Sequence, residues 1–365
     1  MENGIINLSN RHNRNLFVPF IYCLHTDGAM ANRLTPDVHI VNFFFKEGLR
    51  DMVSQINMIR KQLRIDKIDV VHTHGWGQGS LIGVVAARLA KVPVVVNGEH
   101  GGFFLKKIQI IAQRMISYWC DRTLSVSDSL KTLVNQNIGI SISKITTIPN
   151  GVDIEIFSGS YSSNGVKRSI KKASGLNIEG KDFIISCVGS LKPEKNQKML
   201  IDALLEVNKQ YGQRQLKILF IGDGPDRELL QKYTSEVKLE KQIAFLGKRS
   251  DIPELLSISD VLALVSIPRW EGMSNVILEA MSSKVPVIAT QSVGSGELVR
   301  DGINGFLVTP GNVNQLAERL IVLATEENLR SQMANNSRKV ILDRYSIDKM
   351  VNSYENLYIK LLRRN

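Results

Sequence analysis

Short apolar runs of strand length alternate with amphipathic stretches along most of the chain. "IDVVHTH" (68–74) reads as a buried strand ending near His74, and "SLIGVVAARLAK" (80–91) as the helix after it. "VPVVVNGEH" is a further strand, and "RTLSVSDSL" passes from a strand into a helix opened by Ser and Asp. The rhythm then breaks. Pro149, Asn150 and Gly151 are turn formers, and a polar run follows from Ser158 to Ser174. A second series begins beyond it: "FIISCVGS", "LKILFIGDG", "QIAFLG", "DVLALVS", "VPVIAT" and "GFLV". This repetition predicts an α/β chain of two doubly wound, parallel-sheet domains facing a cleft, residues 1–150 and 151–345. In the last stretch, 346–365, Ile347, Met350, Val351, Tyr354, Leu357, Tyr358 and Leu361 share one helical face. Spacing alone leaves open whether that helix packs on the second domain or crosses back to the first.

Composition narrows the partners. The length of 365 residues suits two domains, and no apolar run is long enough to cross a bilayer. The formal net charge of +11 favours polyanions, an anionic membrane face or phosphorylated small molecules. The chain has no long Lys/Arg block and no zinc-finger spacing, which argues against nucleic acid. Cys23, Cys120 and Cys187 lie far apart without a CxxC, as expected of buried free thiols in a reducing cytoplasm. Met1 to Asn10 lacks the basic and apolar regions of a signal peptide. His72 and His74 stand at strand spacing and should share a face.

The chemistry concentrates in "EGMSNVILEA" (271–280). A helix start near Ser274 or Asn275 suits these N-cap residues, and Gly272 permits a tight loop and close approach of a ligand. The N–H groups of Met273, Ser274 and Asn275 would then form an anion site suited to phosphate. Glu271 precedes that site and Glu279 lies about one turn inside the helix. Carboxylates accept paired hydrogen bonds from diols, so an anion site with two such acceptors describes a nucleotide-sugar. Taken alone, the pair is more simply an acid favouring the helix dipole plus a solvated glutamate. The surroundings reverse that balance. In "VGSLKPEKNQKMLIDAL", Gly189 turns the chain at a strand's C-terminal end, where ligands of such sheets bind, and Lys195 follows before a helix. A lysine there can meet a diphosphate as a point charge. "IGDGP" (221–225) is too short for a dinucleotide fingerprint, and no G-x-G-x-x-G follows any strand, which disfavours an oxidoreductase.

Taken in order, "VHTH", "GEHG", "IPNGVD", "VGSLKPEKN", "IGDGP", "FLG", "EGMSNVILEAMSSKVPVIAT" and "GINGFLV" resemble the retaining glycosyltransferases of the GT-B fold, glycosyltransferase family 4. The resemblance runs over nearly the whole chain. It implies two Rossmann-like domains, an N-terminal one that binds the acceptor and a C-terminal one that binds a nucleotide-diphosphate sugar, UDP- or GDP-linked. It also implies that the last helix packs back on the first domain. Glu271 would meet the donor sugar and Glu279 the ribose. The amides of Met273 and Ser274, with Lys195, would hold the diphosphate. Lys248 and Arg249 would lie near the base, and His100 of "GEHG" would face the sugar. Such enzymes usually need no metal, and the chain has no DxD motif.

Two departures stand out. Many members carry Arg where this chain has Ser190, with Lys192 as the nearest substitute, and Lys is not Arg at a bidentate site. Members also open with a strand and a glycine loop ending near a glutamate. Here "MENGIINLSN" already looks like the following helix, with Glu2 as the loop's glutamate, so the N-terminal domain is expected to lack its first strand. The resemblance therefore leaves two expectations. One is sugar transfer to a saccharide or lipid-linked acceptor in cell-surface polysaccharide or glycolipid assembly. The other is a truncated, non-catalytic protein that binds nucleotide-sugar. The stretch Phe103 to Arg122 mixes apolar residues with Lys106, Lys107, Arg114 and Arg122. It suits either an anionic membrane face or a core helix with basic flanks, and a cytoplasmic protein, peripheral to the membrane in the first case.

Overall fold

The computed structural model describes the chain except residues 1, 25–30, 44, 46–50, 76, 100–106, 159–160, 162, 212–215, 269–271 and 365. The contacts divide it into two units, residues 1–151 with 347–365, and residues 152–346. In the first, β1 (Phe20–Cys23) pairs in parallel with β2 (His39–Asn42). A separate parallel sheet runs β3 (Val70–His74), β4 (Val94–Glu99), β5 (Arg122–Ser125) and β6 (Ile145–Thr147). Among the described strands, no ladder joins the two sheets.

The alternation of side chains on β4 sorts the two faces of that sheet. Val94 and Val96 pack with Leu124 and Ile148 against Ile347, Met350, Val351, Tyr354, Tyr358 and Leu361 of the terminal helix Ile347–Leu362. Val95 faces the other way, into a core with Ile82, Val84 and Ala87 of the helix Gln78–Ala90 and Ile59 and Leu63 of the helix Met52–Ile65. The terminal helix is thus part of the first unit's core, although it follows the whole second unit in sequence. Polar contacts reinforce it. Glu355 accepts from the Asn13 amide at 2.7 Å and pairs with His12 Nδ1 at 3.1 Å. Burial lowers the His12 pKa, against the pull of Glu355. His72 and His74 do share a face, their ring centroids 3.9 Å apart, and His72 Nδ1 meets the Tyr358 hydroxyl at 2.8 Å. Burial holds the Tyr358 hydroxyl protonated far above its ordinary range.

The second unit is one six-stranded parallel sheet in the order β12-β11-β10-β7-β8-β9. These strands are β7 (Phe183–Val188), β8 (Leu216–Ile221), β9 (Ile243–Phe245), β10 (Val261–Leu264), β11 (Val287–Thr290) and β12 (Gly305–Val308). Their near-continuous apolar runs are explained by burial on both faces. Ile185, Cys187, Ile218 and Phe220 point into one core, and Ile184, Leu219 and Ile221 into the other. Cys187 and Cys120 are buried free thiols, while Cys23 is half-buried.

The polar run Ser158 to Ser174, where the rhythm of the sequence breaks, contains a helix, Ser163–Ser174. Val166 and Ile170, one turn apart, bury against the second core and suffice to anchor it, which a count of its polar residues hides.

Candidate functional site

Strand order places a switch point in the second unit. The chain runs outward from β7 through β8 and β9 on one side and through β10, β11 and β12 on the other. Loops leaving β7 and β10 therefore diverge at the carboxyl edge and open a crevice between them, the usual ligand site in such sheets. A backbone hydrogen bond from Ile267 N to Glu194 O, 2.8 Å, ties the two loops together.

After β7 the chain turns at Gly189, whose φ of 150° lies in the region that favours glycine. A single 3-10 turn, Pro193–Lys195, follows, closed by Asn196 in the left-handed conformation. Gln197 Nε2 donates to the Ser190 carbonyl at 2.9 Å and fixes the loop's shape. Lys195 ends up half-buried at the crevice. Burial lowers its pKa, and the neighbouring Cys187 thiol and Glu194 oppose the shift, while Lys192 adds to it. The Cys187 thiol is itself pushed up to about 12 by burial. Lys192 is exposed.

After β10 the helix Asn275–Ser282 starts with Ser274 as its N-cap, in extended backbone. Gly272, Met273 and Ser274 are buried before it. A helix's first-turn N–H groups have no partner within the helix, so this end offers donors and the positive end of the dipole. The other end is held by Arg338. Its guanidinium donates to the Ser282 carbonyl and hydroxyl at 2.6 Å each, to Phe157 O at 3.2 Å and to Ile154 O at 3.0 Å. A cation there complements the helix's negative end and fixes its position. Arg338→Ala would leave buried carbonyls without donors, so thermal unfolding should show a loss of about 2–4 kcal/mol. Glu279, one turn into the helix, is half-buried, and its carboxylate accepts no hydrogen bond among the described residues. Burial raises its carboxyl to about 7.

Glycines that sequence reading passed over hold this arrangement together. A Cβ on Gly222, after β8, would overlap the Gly189 carbonyl oxygen, and one on Gly224 would overlap that of Leu191. The "IGDGP" loop is therefore a brace for the β7 loop, with Leu191 N donating to Asp223 O and Asp226 N to Leu191 O, 3.1 Å each. Gly294, after β11, packs in the same way on the Gly272 carbonyl. The only sequence signal was a glycine close after a strand, which many turns share.

In the strand order, Gly189, Ser190, Lys192 and Lys195 follow β7, and Gly272, Met273, Ser274, Asn275 and Glu279 follow β10, on the two sides of the switch point. Lys248 and Arg249 follow β9 at the next loops, where Gly222 N donates to Gly247 O at 2.9 Å. Lys248 is exposed. Arg249 is engaged on both sides of its guanidinium fork with Asp251, and donates to Ser169 Oγ at 2.8 Å, so its charge is already matched. Glu271 and His100 lie outside the described residues. Among the described residues no cluster of three His, Cys, Asp or Glu is arranged to hold a metal ion. A crevice presenting a lysine, a helix start and a carboxyl is chemically suited to a phosphate ester that also carries hydroxyls.

Comparison with known proteins agrees with this chemistry. Residues 168–340 match the family described as glycosyl transferases group 1, and residues 1–156 match glycosyltransferase family 4. The chain is 31% identical over 323 residues to an Escherichia coli UDP-Gal:α-D-GlcNAc-diphosphoundecaprenol α-1,3-galactosyltransferase, covering 86% of this chain and 81% of that one. Its fold matches the crystal structure of Anabaena HepE in complex with UDP, with a TM-score of 0.82, 22% identity and coverage of 98% and 96%. It also matches a glycosyltransferase from Rickettsia africae, with a TM-score of 0.85, 19% identity and coverage of 100% and 95%.

Proposed function

Because the chain belongs to glycosyltransferase family 4, the group 1 glycosyl transferases, and has their GT-B fold, we propose that it transfers a sugar, with retention, from a UDP- or GDP-sugar to a saccharide or lipid-linked acceptor. The second unit is the donor-binding domain and the first the acceptor-binding domain. The setting is cell-surface polysaccharide or glycolipid assembly at the cytoplasmic face of the membrane. The Escherichia coli relative, a galactosyltransferase named for a UDP-sugar donor and a diphosphoundecaprenol-linked acceptor, supports both halves of this reading. No helix among the described residues is long and apolar enough to cross a membrane, so a lipid-linked acceptor would be met at its surface.

One observation supports the proposal above the rest: a hydrogen bond at the switch point joins the β7 loop, which carries Lys195, to the β10 loop, which leads towards the helix Asn275–Ser282. The Lys195 ammonium and the amides of Met273, Ser274 and Asn275 take the diphosphate, and Glu279 accepts from the ribose hydroxyls. Glu271 and His100, both outside the described residues, are assigned to the sugar by the family resemblance alone. Lys248 lies towards the base. Arg249, matched by Asp251, orders that loop.

As the bond from the sugar C1 to the phosphate oxygen breaks, charge builds on the departing diphosphate, and fixed donors stabilise it without a metal. The acceptor hydroxyl adds to C1 on the face the diphosphate leaves. Its proton passes to that phosphate, so the anomeric configuration is kept.

A turnover assay with several UDP- and GDP-sugars tests this. Lys195→Ala should lower turnover roughly a hundredfold, and Glu271→Ala should abolish it. Lys198→Ala removes an exposed lysine paired with Asp202 at 2.9 Å and should change nothing. Proton NMR of the product should show the donor's anomeric configuration. Wild-type rates in Lys195→Ala would sink the site assignment, and donor binding without turnover in the parent chain would make it a nucleotide-sugar-binding protein instead.

A further inference from the structure

The helix Lys107–Trp119 has its apolar face turned the wrong way for a soluble surface. The residues it buries are Gln113, Ile116 and Ser117, with Ser117 Oγ hydrogen-bonded to Thr123 Oγ1 at 3.0 Å. The large apolar residues it exposes are Ile111 at 57%, Met115 at 50%, Tyr118 at 79% and Trp119 at 39%. At 3.6 residues per turn these four fall within about 100° of arc, a continuous stripe. Scattered exposed hydrophobics need no explanation, but a stripe of four does.

Cations border the stripe, and the helix itself carries no acid. Lys107 and Arg114, both exposed, fall at one edge of the arc. At its C-terminal end Lys144 donates to Ser117 O at 2.7 Å and Tyr118 O at 2.8 Å, with its ammonium 5.5 Å from the centre of the Tyr118 ring. Ile142, exposed, belongs to the same short turn as Lys144. The charge of the whole unit points the same way. Residues 1–151 and 347–365 hold 21 Lys and Arg against 12 Asp and Glu, a net +9 of the chain's +11.

We infer that this helix face docks in the interface of an anionic lipid bilayer. Its apolar stripe enters the boundary between headgroups and acyl chains while Lys107 meets the headgroup phosphates, Arg114 beside it donating from Nε to the Ile138 carbonyl. Tyr118 and Trp119 suit that depth, having apolar bodies and polar tips. A second copy of the chain fits less well, because it would bring the same cations and no carboxylate from this helix to the contact. The inference stands apart from the donor chemistry, since it concerns only the first unit's surface.

Flotation of the full chain with lipid vesicles tests it, with no donor or acceptor present. The parent chain should float with phosphatidylcholine vesicles containing about 30% phosphatidylglycerol, and bind pure phosphatidylcholine at least about tenfold less. The double variant Ile111→Ser, Tyr118→Ser should lose at least about tenfold of that binding, with its melting temperature unchanged because both side chains are exposed. Lys107→Glu should lose about fivefold or more on the anionic vesicles, and salt near 1 M should weaken the parent in the same sense. Equal flotation on both vesicle types, no flotation at all, or parent-level binding by the folded double variant would overturn the inference. A concentration-dependent dimer in sedimentation, lost in the double variant, would assign the stripe to self-association instead.

Discussion

Gly294→Ala should lower the affinity for a nucleoside diphosphate by about tenfold or more while the chain stays folded. The reason lies in one close approach. Gly294 has a φ of −87°, which any residue adopts, so alanine brings no backbone strain. What forbids it is the Gly272 carbonyl, whose oxygen occupies the space a Cβ would need. Backbone cannot rotate aside as a side chain can, so the loop before the helix Asn275–Ser282 must shift. Overpacking of this kind costs about 1–3 kcal/mol, and here the displaced atoms are the proposed phosphate donors. Gly296→Ala is the matched control: two residues on, a Cβ would meet nothing within 4 Å. Calorimetric titration of the parent and both variants with UDP reads the difference directly. Equal affinity in Gly294→Ala and Gly296→Ala would show that the Gly272 loop does not touch the diphosphate.

Glu279 predicts a pH signature that few surface carboxylates would show. Burial raises its carboxyl from the ordinary 4.5 to about 7. A ribose diol is best held by the ionised form, so donor affinity should fall as pH drops from 8 to 6, by up to about tenfold per unit below 7. Glu279→Gln should remove that dependence and bind the donor about tenfold or more weakly at pH 8, having lost charge-assisted hydrogen bonds. Stability should move the opposite way. A carboxyl with a raised folded pKa favours the fold most below its unfolded pKa, near 4.5, and that contribution is lost as pH rises through about 7. Glu279→Gln should therefore stabilise the free protein at pH 8, by up to about 3 kcal/mol, and scarcely at all at pH 4. Melting curves at the two pH values check the sign. A variant less stable than its parent at pH 8 would mean that the buried carboxylate has partners that lower its cost.

Much of this architecture was legible in the pattern of apolar residues. Parallel strands buried on both faces read as unbroken apolar runs, which is why β4, β7 and β8 are legible in the sequence. The helix start could be narrowed to Ser274 or Asn275 because few residues suit a cap, and Ser274 takes that position. The helix Ser163–Ser174 was hidden because two apolar residues anchor it, too few to set a period. The bracing by Gly222, Gly224 and Gly294 was not legible, since each acts on a backbone oxygen far away in sequence. Arg249 illustrates the limit from the other side. Sequence marks it as a cation near the site but does not say that Asp251 and Ser169 already occupy its donors. The pairing of His72 and His74 on one face was legible, but that Tyr358 meets His72 was not, because this residue arrives from the far end of the chain.

The central claim is that the crevice between the β7 and β10 loops binds a nucleoside diphosphate through Lys195. Titration of the full chain with UDP and with GDP, followed by calorimetry in parallel with Lys195→Ala, tests it most directly. The account predicts saturable one-site binding of one of the two nucleotides, weakened about tenfold or more in Lys195→Ala and unchanged in Lys198→Ala. Absence of binding by both nucleotides, or equal affinity in the parent and Lys195→Ala, would contradict it.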